Sequence, residues 1–451
     1  MRPITLKQIA NYLGEISSND QLVYKVIIDS RQAQQNSLFF ALEGENVDGH
    51  QYVTDVLDMD GFAVVKRGFG SGERIIEVDD PILALQQLAR CYLEQFDIPV
   101  IGVTGSNGKT TTKDLIAGVL STHWRVHKTE GNFNNELGLP LTVLSLEPFH
   151  QAIVLEMGMR GLGQIRQLTS IAPLDVAVIT NIGPVHMELL GSLERIAQAK
   201  GEILGGLKPN GLAVLNGDDP LIQKQMSGVS IPVLYYGKGV NNELRPIKER
   251  IGEDGHVQYT CLWRGQHTEV VLPIPGLHNV YNSLAAIGIG LTYGLTLAQC
   301  AEQLKNVSVS KMRMEIVNGR DGIRLINDAY NASPVSMRAA LETIAVMECA
   351  NRRVAILGDM LELGEISVQA HQEMGAYAAA RFDQLIFVGR HSKDFLQGAS
   401  ALGVSSADIG VYLTVEELII NIDRHVQPED LVLVKASRAV ALERVVEALE
   451  R

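Results

Sequence analysis

The segment Ile101-Gly-Val-Thr-Gly-Ser-Asn-Gly-Lys-Thr-Thr-Thr112 limits what this chain can fold into more than any other. It closes an apolar run, IPVIGVTG, and opens a helical pattern in which Leu115, Ile116, Val119 and Leu120 share one apolar face. A strand, a glycine-rich turn and an amphipathic helix in that order make a phosphate-binding loop. Glycines let the backbone wrap closely around an anion, and the amide groups of the turn and of the helix N-terminus point at it. Lys109 adds a point charge, and Thr110 offers a hydroxyl to Mg²⁺. The strict G-x-x-x-x-G-K-[ST] spacing is not met, because Val103 stands where the first glycine belongs and Gly105 comes two residues later.

Such a loop needs a covered sheet behind it, and the rest of the chain supplies the strands. After Asp97, the apolar runs IPVIGVTG, AIVLEMG, DVAVITNIG and GLAVLNGDD each end in a Gly or Asn turn and alternate with helical stretches, which suits a mostly parallel sheet. Before residue 83 the runs are shorter (LVYKVIID, SLFFALEG, GFAVVKRG, RIIEV), and only Pro3 to Leu13 reads as a helix. Beyond a linker near Asn306 to Arg313, the strand-then-turn pattern resumes in IRLINDAY, RVAILGDM, QLIFVG and LVLVKAS. The expected architecture is therefore α/β in three domains: a small N-terminal α/β domain (1–82), a central phosphate-loop domain (83–312) and a C-terminal Rossmann-like domain (313–451). A length of 451 residues fits that division at about 150 residues per domain.

Composition narrows the partners. A formal charge of -13 repels polyanions, so nucleic acid and anionic membrane surfaces are not expected as broad partners. The 4 cysteines, Cys91, Cys261, Cys300 and Cys349, form no Cys-x-x-Cys pair, which argues against a disulfide framework or a thiolate zinc site. No run of about 18 apolar residues occurs, so membrane insertion is not expected and the cytoplasm is the expected compartment.

Three further places carry candidate chemistry. Gly131-Asn-Phe-Asn-Asn-Glu-Leu-Gly-Leu-Pro140 packs Asn132, Asn134 and Asn135 into a turn, where they can read a ligand or tie the turn itself. Glu156 ends the run AIVLE and His186 follows VAVITNIGPV, which places both at the carboxyl ends of strands expected to be neighbours, where they can complete a metal shell. Lys200 lies in a helical stretch, LERIAQAKGEILGGL, and composition alone does not single it out.

The motifs TGSNGKT, GNFNNELGLP, LEMGMRGLGQI, NIGPVHMELLGS, PGLHNVYNSLAA, MRMEI, NDAYNASPVSM, LGDMLELG and LVKASRAVALE occur in this order. Together they resemble the Mur ligase family of peptidoglycan synthesis, over nearly the whole chain. The resemblance implies an ATP- and Mg²⁺-dependent ligase that joins D-alanyl-D-alanine to UDP-N-acetylmuramoyl-tripeptide through an acyl phosphate, working as a monomer. Carried over by motif, Gly105, Ser106, Asn107, Gly108, Lys109, Thr110 and Thr111 would hold the ATP phosphates, with Asn279 and Asn282 at the adenine and Arg313 and Asp328 reaching the nucleotide from the third domain. The metal set would be Thr110, Glu156, His186 and Lys200, the last as a carbamate, with Lys109, Glu156, His186 and Lys200 forming the catalytic group. Ser30, Arg31, Gly44, Asp48, Gly49 and His50, with Asn132, Asn134 and Asn135, would serve the UDP substrate. Tyr330, Asn331, Lys435, Ser437 and Arg438 would bind the dipeptide acceptor. Two departures from the family pattern stand out, Ala436 in the third domain in place of a glycine and Lys311-Met312 in the linker before it in place of Pro-Gly. The competing readings are a relative with another acceptor, such as the third-residue ligase or a folylpolyglutamate synthase, and a phosphate-loop ATPase switch that ligates nothing.

Overall fold

The computed structural model describes residues 1–44, 47–226, 228–252, 254–405 and 408–450. Its largest sheet has nine strands, in the order Gln266–Leu272, Val257–Trp263, Leu244–Ile251, Val233–Tyr236, Leu207–Asn216, Leu174–Ile179, Val100–Thr104, Ala152–Glu156, Val126–Lys128. The strand that leads into the phosphate loop, Val100–Thr104, is buried at all five residues and runs parallel to Ala152–Glu156, with Val103 beside Glu156. It separates Ala152–Glu156 from Leu174–Ile179, so the two strands expected to be neighbours are not. Apolar runs of similar length fit any interior position of a parallel sheet, and the pattern alone does not order them.

The mostly parallel sheet also carries an antiparallel end that the sequence reading did not contain. Leu244–Ile251, Val257–Trp263 and Gln266–Leu272 pair antiparallel. In the middle strand Val257, Tyr259 and Cys261 are buried while their neighbours are less so, the alternation of a sheet with one covered face.

In the N-terminal region, Lys25–Ile27, Ser37–Phe40, Phe62–Lys66 and Ile75–Val78 form a four-stranded parallel sheet in that order. The first helix spans Leu6–Leu13 rather than starting at Pro3, because Thr5 caps it in a reciprocal box with Gln8, a device worth about 1 kcal/mol. A second helix, Val53–Asp58, was not expected; six residues are too few to establish a helical period.

The C-terminal sheet has the order Glu315–Asn318, Arg324–Asn327, Leu431–Lys435, Arg353–Gly358, Gln384–Val388, Ile409–Tyr412, parallel except for its first strand. Both faces are covered. Helices Pro334–Val346, Ser367–Ala379 and Ser392–Ser400 pack on one around Ile326, Leu357 and Phe387, while Val415–Asn421 and Glu443–Glu450 pack on the other around Leu325, Ile356 and Val434. By internal contacts the chain resolves into two compact units, one of Met1–Thr104, His123–Ala177 and Glu202–Ala213, the other of Gly105–Thr122, Val178–Gly201 and Val214–Arg451. Among the described residues no helix is long and apolar enough to cross a membrane.

One imidazole is fully buried and several others are partly so. His371, fully buried, accepts the Met360 N–H through Nε2 at 3.0 Å and turns Nδ1 to the Ser367 carbonyl at 2.7 Å. Burial lowers its pKa below 6.5, and burial likewise lowers those of His127, His150 and His425. Below pH 6.5 the unfolded chain takes up protons that these folded-state imidazoles refuse, so stability falls as pH drops through that range. Urea titrations from about pH 7.5 to about 5.5 are expected to show this loss, and His371→Gln to be less stable at the upper pH but to lose less on acidification.

Candidate active site around the phosphate loop

The loop between Val100–Thr104 and the helix Lys109–Leu120 takes backbone conformations that favour glycine, with φ of 151° at Gly105 and 80° at Gly108. There is no space for side chains either. A Cβ on Gly105 would lie 1.9 Å from Thr180 Oγ1, and one on Gly108 would lie 2.5 Å from Asn282 Oδ1. Residues 180–183 staple the loop down. Ser106 N donates to Asn181 O at 2.9 Å, Asn107 N to Asn181 Oδ1 at 3.0 Å, and Thr180 Oγ1 to Asn107 O at 2.6 Å. Ser106 Oγ donates to Gly183 O and accepts from Gly183 N. Thr180 and Asn181 were not identified from sequence; their signal was the Thr-Asn turn after an apolar run.

Lysines 109 and 200 converge on one oxygen. Lys109 Nζ donates to Gly105 O at 2.8 Å and to Ser106 O at 3.3 Å, and Lys200 Nζ donates to Gly105 O at 2.9 Å. Lys200, on the helix Leu193–Gly201, is buried, and this burial, reinforced by the charge of Lys109, holds its pKa well below the ordinary lysine range. His186 does not sit at a strand end but caps the short helix Met187–Leu190 with φ 54°, and its Nδ1 lies 2.8 Å from Glu362 Oε2. Burial lowers its pKa, opposed by Glu362 and reinforced by Lys200 and Lys109. Glu362 was missed at the sequence level, although it stands in the motif LGDMLELG.

Glu156 ends its strand almost fully buried. Its Oε1 accepts from Asn134 Nδ2 at 2.8 Å, and among the described residues its Oε2 meets no hydrogen-bond donor. A buried carboxylate oxygen without a donor is costly, and a cation satisfies it. Of the other amides in that turn, Asn135 accepts from Gly138 N at 2.8 Å and so ties the turn, while Asn132 is exposed. Among the described residues no group of three or more His, Cys, Asp and Glu is placed to hold a metal.

Asn279 and Asn282, expected at the adenine, form an interior chain. Asn279 Nδ2 donates to Pro275 O, Asn282 Nδ2 to Asn279 Oδ1, and Thr112 Oγ1 to Asn282 Oδ1, at 2.7, 2.9 and 3.1 Å. They lock the phosphate-loop helix to the helix His278–Thr292.

Two groups reach the loop from the C-terminal part of the chain. Arg313 donates to Thr110 Oγ1 at 3.0 Å with its guanidinium carbon 3.9 Å from the centre of the Tyr330 ring, and Ser333 Oγ donates to Asn107 Oδ1 at 3.2 Å. Tyr330, expected at the acceptor, thus supports Arg313. Lys435 is buried, with its ammonium 2.5 Å from Asp328 Oδ2 and 2.9 Å from Asn331 O. Ser437 Oγ accepts from Leu361 N. Arg438 is half exposed, beside Glu443 at 2.8 Å and Met312 Sδ at 3.2 Å. Met312 itself has φ 60°, so the left-handed backbone that a glycine would favour is kept without one. Ala436 is fully buried.

In the N-terminal region Asp29 caps the turn Ser30–Gln32 and grips Arg31 through both carboxylate oxygens, a side-chain bond that lowers its pKa to about 2. Asp48 caps Gly49–Tyr52 and lies 2.6 Å from His50 Nδ1. His50 Nε2 accepts from Lys66 N, and the ring stacks on Phe69 at 4.0 Å. Gly44 N donates to Val47 O.

A strand-loop-helix whose Gly105 carbonyl accepts from Lys109 and from the buried Lys200 is suited to hold a nucleotide's phosphates. Residues 103–290 match the Mur ligase middle domain and residues 312–438 the Mur ligase, glutamate ligase domain. The chain belongs to the Mur ligase family. It is 40% identical to the UDP-N-acetylmuramoyl-tripeptide–D-alanyl-D-alanine ligase of Bacillus subtilis, over 99% of this chain and 98% of that one. Among solved structures it resembles MurF from Acinetobacter baumannii (TM-score 0.90, 29% identity, 100% of both chains). It also resembles MurF ligase from Thermotoga maritima in complex with ADP (TM-score 0.83, 30% identity, 95% of this chain and 97% of that one).

Gly108→Ala is expected to cost at least about 1–2 kcal/mol from left-handed backbone strain alone, and more as Asn282 is pushed from Thr112. Chemical denaturation checks it.

Proposed function

We propose that this protein joins D-alanyl-D-alanine to UDP-N-acetylmuramoyl-tripeptide with cleavage of ATP to ADP and phosphate. The observation that carries this reading is the 40% identity, over 99% of the chain, to a protein named as a ligase of that specificity. On this reading residues 1–82 take the UDP substrate, 83–312 the ATP, and 313–451 the dipeptide.

A carboxylate and an ammonium do not condense at neutral pH, so the tripeptide carboxylate must first be activated. Its oxygen attacks the γ-phosphorus of ATP, ADP leaves, and an acyl phosphate results. The free amine of D-Ala-D-Ala adds to the acyl carbon, the tetrahedral adduct expels phosphate, and the amine proton is released. The chain's task is positioning and charge neutralisation. Lys109 and the amides of residues 105–111 hold the phosphates, and Arg313 adds charge from the segment that leads into the C-terminal sheet.

Mg²⁺ suits the donorless oxygen of Glu156; by family resemblance the Thr110 hydroxyl, His186 and a modified Lys200 would be its further holders. When bound it neutralises charge on the transferred phosphoryl group. Lys200 supports a carbamate because a depressed pKa leaves a free amine, which adds to CO₂ with loss of a proton. The product replaces a neutral amine beside the Lys109 ammonium with an anion. The buried pairing of Lys435 with Asp328 leaves Arg438 as the more accessible cation for the dipeptide carboxylate.

Phosphate release from ATP should require both co-substrates; release with ATP alone would mark a switch rather than a ligase. Lys200→Ala should be nearly inactive and partly restored by a short-chain carboxylate, which steady-state turnover with and without the acid tests. Arg438→Ala should raise the Michaelis constant for D-Ala-D-Ala about tenfold, equivalent to about 1.4 kcal/mol, with those of ATP and the UDP substrate little changed. Varying each substrate in turn decides it.

A further inference from the structure

The segment between the helix Leu297–Leu304 and the strand Glu315–Asn318 is fastened to the phosphate-loop helix at two points one turn apart. At the first, Asp114 Oδ2 accepts from both Ser310 N, at 2.8 Å, and Ser310 Oγ, at 2.7 Å. Asp114 and Lys113 are both fully buried, with Asp114 Oδ1 3.2 Å from Lys113 Nζ. At the second, Thr110, four residues earlier on the same helix, accepts from Arg313. The short stretch between the anchors has little freedom. Met312 and Met314 are left-handed, with φ of 60° and 53°, and their amides donate to Glu315 Oε2 and Asp328 Oδ1.

We propose that Asp114 is a positioning residue for the ligation reaction: by fixing Ser310 it sets where Arg313 arrives on the phosphate loop. Residues four apart lie on one helix face, so Asp114 and Thr110 present the segment with two fixed points on one rigid element. A buried carboxylate receiving two donors from a single residue makes the Ser310 anchor directional as well as strong. Arg313 is the more weakly held end: besides the Tyr330 ring against its guanidinium, it donates to the neutral Thr110 hydroxyl, and among the described residues its Nε has no partner. The Ser310 anchor therefore persists when Arg313 turns toward a phosphate, and determines how far it can reach. This rests on the reading of Arg313 as a nucleotide contact.

The test is a mutant cycle in the full chain. Ser310→Ala removes one donor and keeps the backbone bond, so the fold is retained even if Asp114→Asn proves unstable. Ser310→Ala should lower kcat about tenfold, the scale of a small misplacement of a charged group, with the Michaelis constant of the UDP substrate within about twofold of wild type. In an Arg313→Ala background Ser310→Ala should cause no further loss, because the group it positions is gone. Wild-type kcat in Ser310→Ala, or the same fractional loss with and without Arg313, overturns the proposal. If Arg313→Ala alone is fully active, the nucleotide role of Arg313 falls and this inference falls with it; if Arg313→Ala is impaired and the losses multiply, only the positioning role falls.

Discussion

The carbonyl oxygen of Gly105 accepts hydrogen bonds from two lysine side chains, and much of the surrounding architecture follows from making that possible. The oxygen is available because Gly105 and Gly108 take backbone angles that let the loop turn its carbonyl toward the lysines. The loop keeps that shape because Thr180, Asn181 and Gly183 bond its amides and carbonyls in turn. Lys200 arrives from a helix whose end is buried, so its charge is disfavoured and its amine is chemically available. A rigid cradle and a buried lysine whose charge is disfavoured are thus two aspects of one packing arrangement.

Around this cradle, polar side chains act mainly on one another. Asn279 and Asn282 tie the phosphate-loop helix to its neighbour, Tyr330 lies against Arg313, and Lys435 is matched by Asp328. Buried polar groups need partners, and those that find them inside the chain become supports. Glu156 Oε2, like Tyr236 Oη, Arg313 Nε and Glu443 Oε2, is satisfied by no described residue, and among these Glu156 Oε2 is a carboxylate oxygen at the end of the strand beside the one that leads into the phosphate loop. Such an atom is where a ligand-binding protein differs from a merely stable one.

The sequence made the phosphate loop legible because glycine, lysine and threonine there have separate and recognisable reasons. It made the alternation of strands and helices legible because buried strands are apolar along their length. Strand order was not legible: Ala152–Glu156 and Leu174–Ile179 have similar patterns, and nothing in either says that Val100–Thr104 lies between them. The antiparallel strands from 244 to 272 escaped because their charged faces, as in LRPIKERI, resemble surface loops. Side-chain roles were the least accessible. The motif around Asn279 names a place but not a direction, and only the packed structure reveals that both amides point inward. Lys200 is the reverse case, a lysine that composition does not single out and that only the resemblance named, whose burial the structure adds.

The two compact units are built from interleaved stretches of chain, with crossings after residues 104, 122, 177, 201 and 213. A chain emerging from the ribosome therefore cannot finish its first unit before residue 213 has been made, although that unit begins at residue 1. The phosphate-loop helix is synthesised early, but Asn282, Ser310 and Arg313, the residues that fasten it, come much later. Vectorial synthesis thus delivers the phosphate-loop helix long before the residues that fasten it.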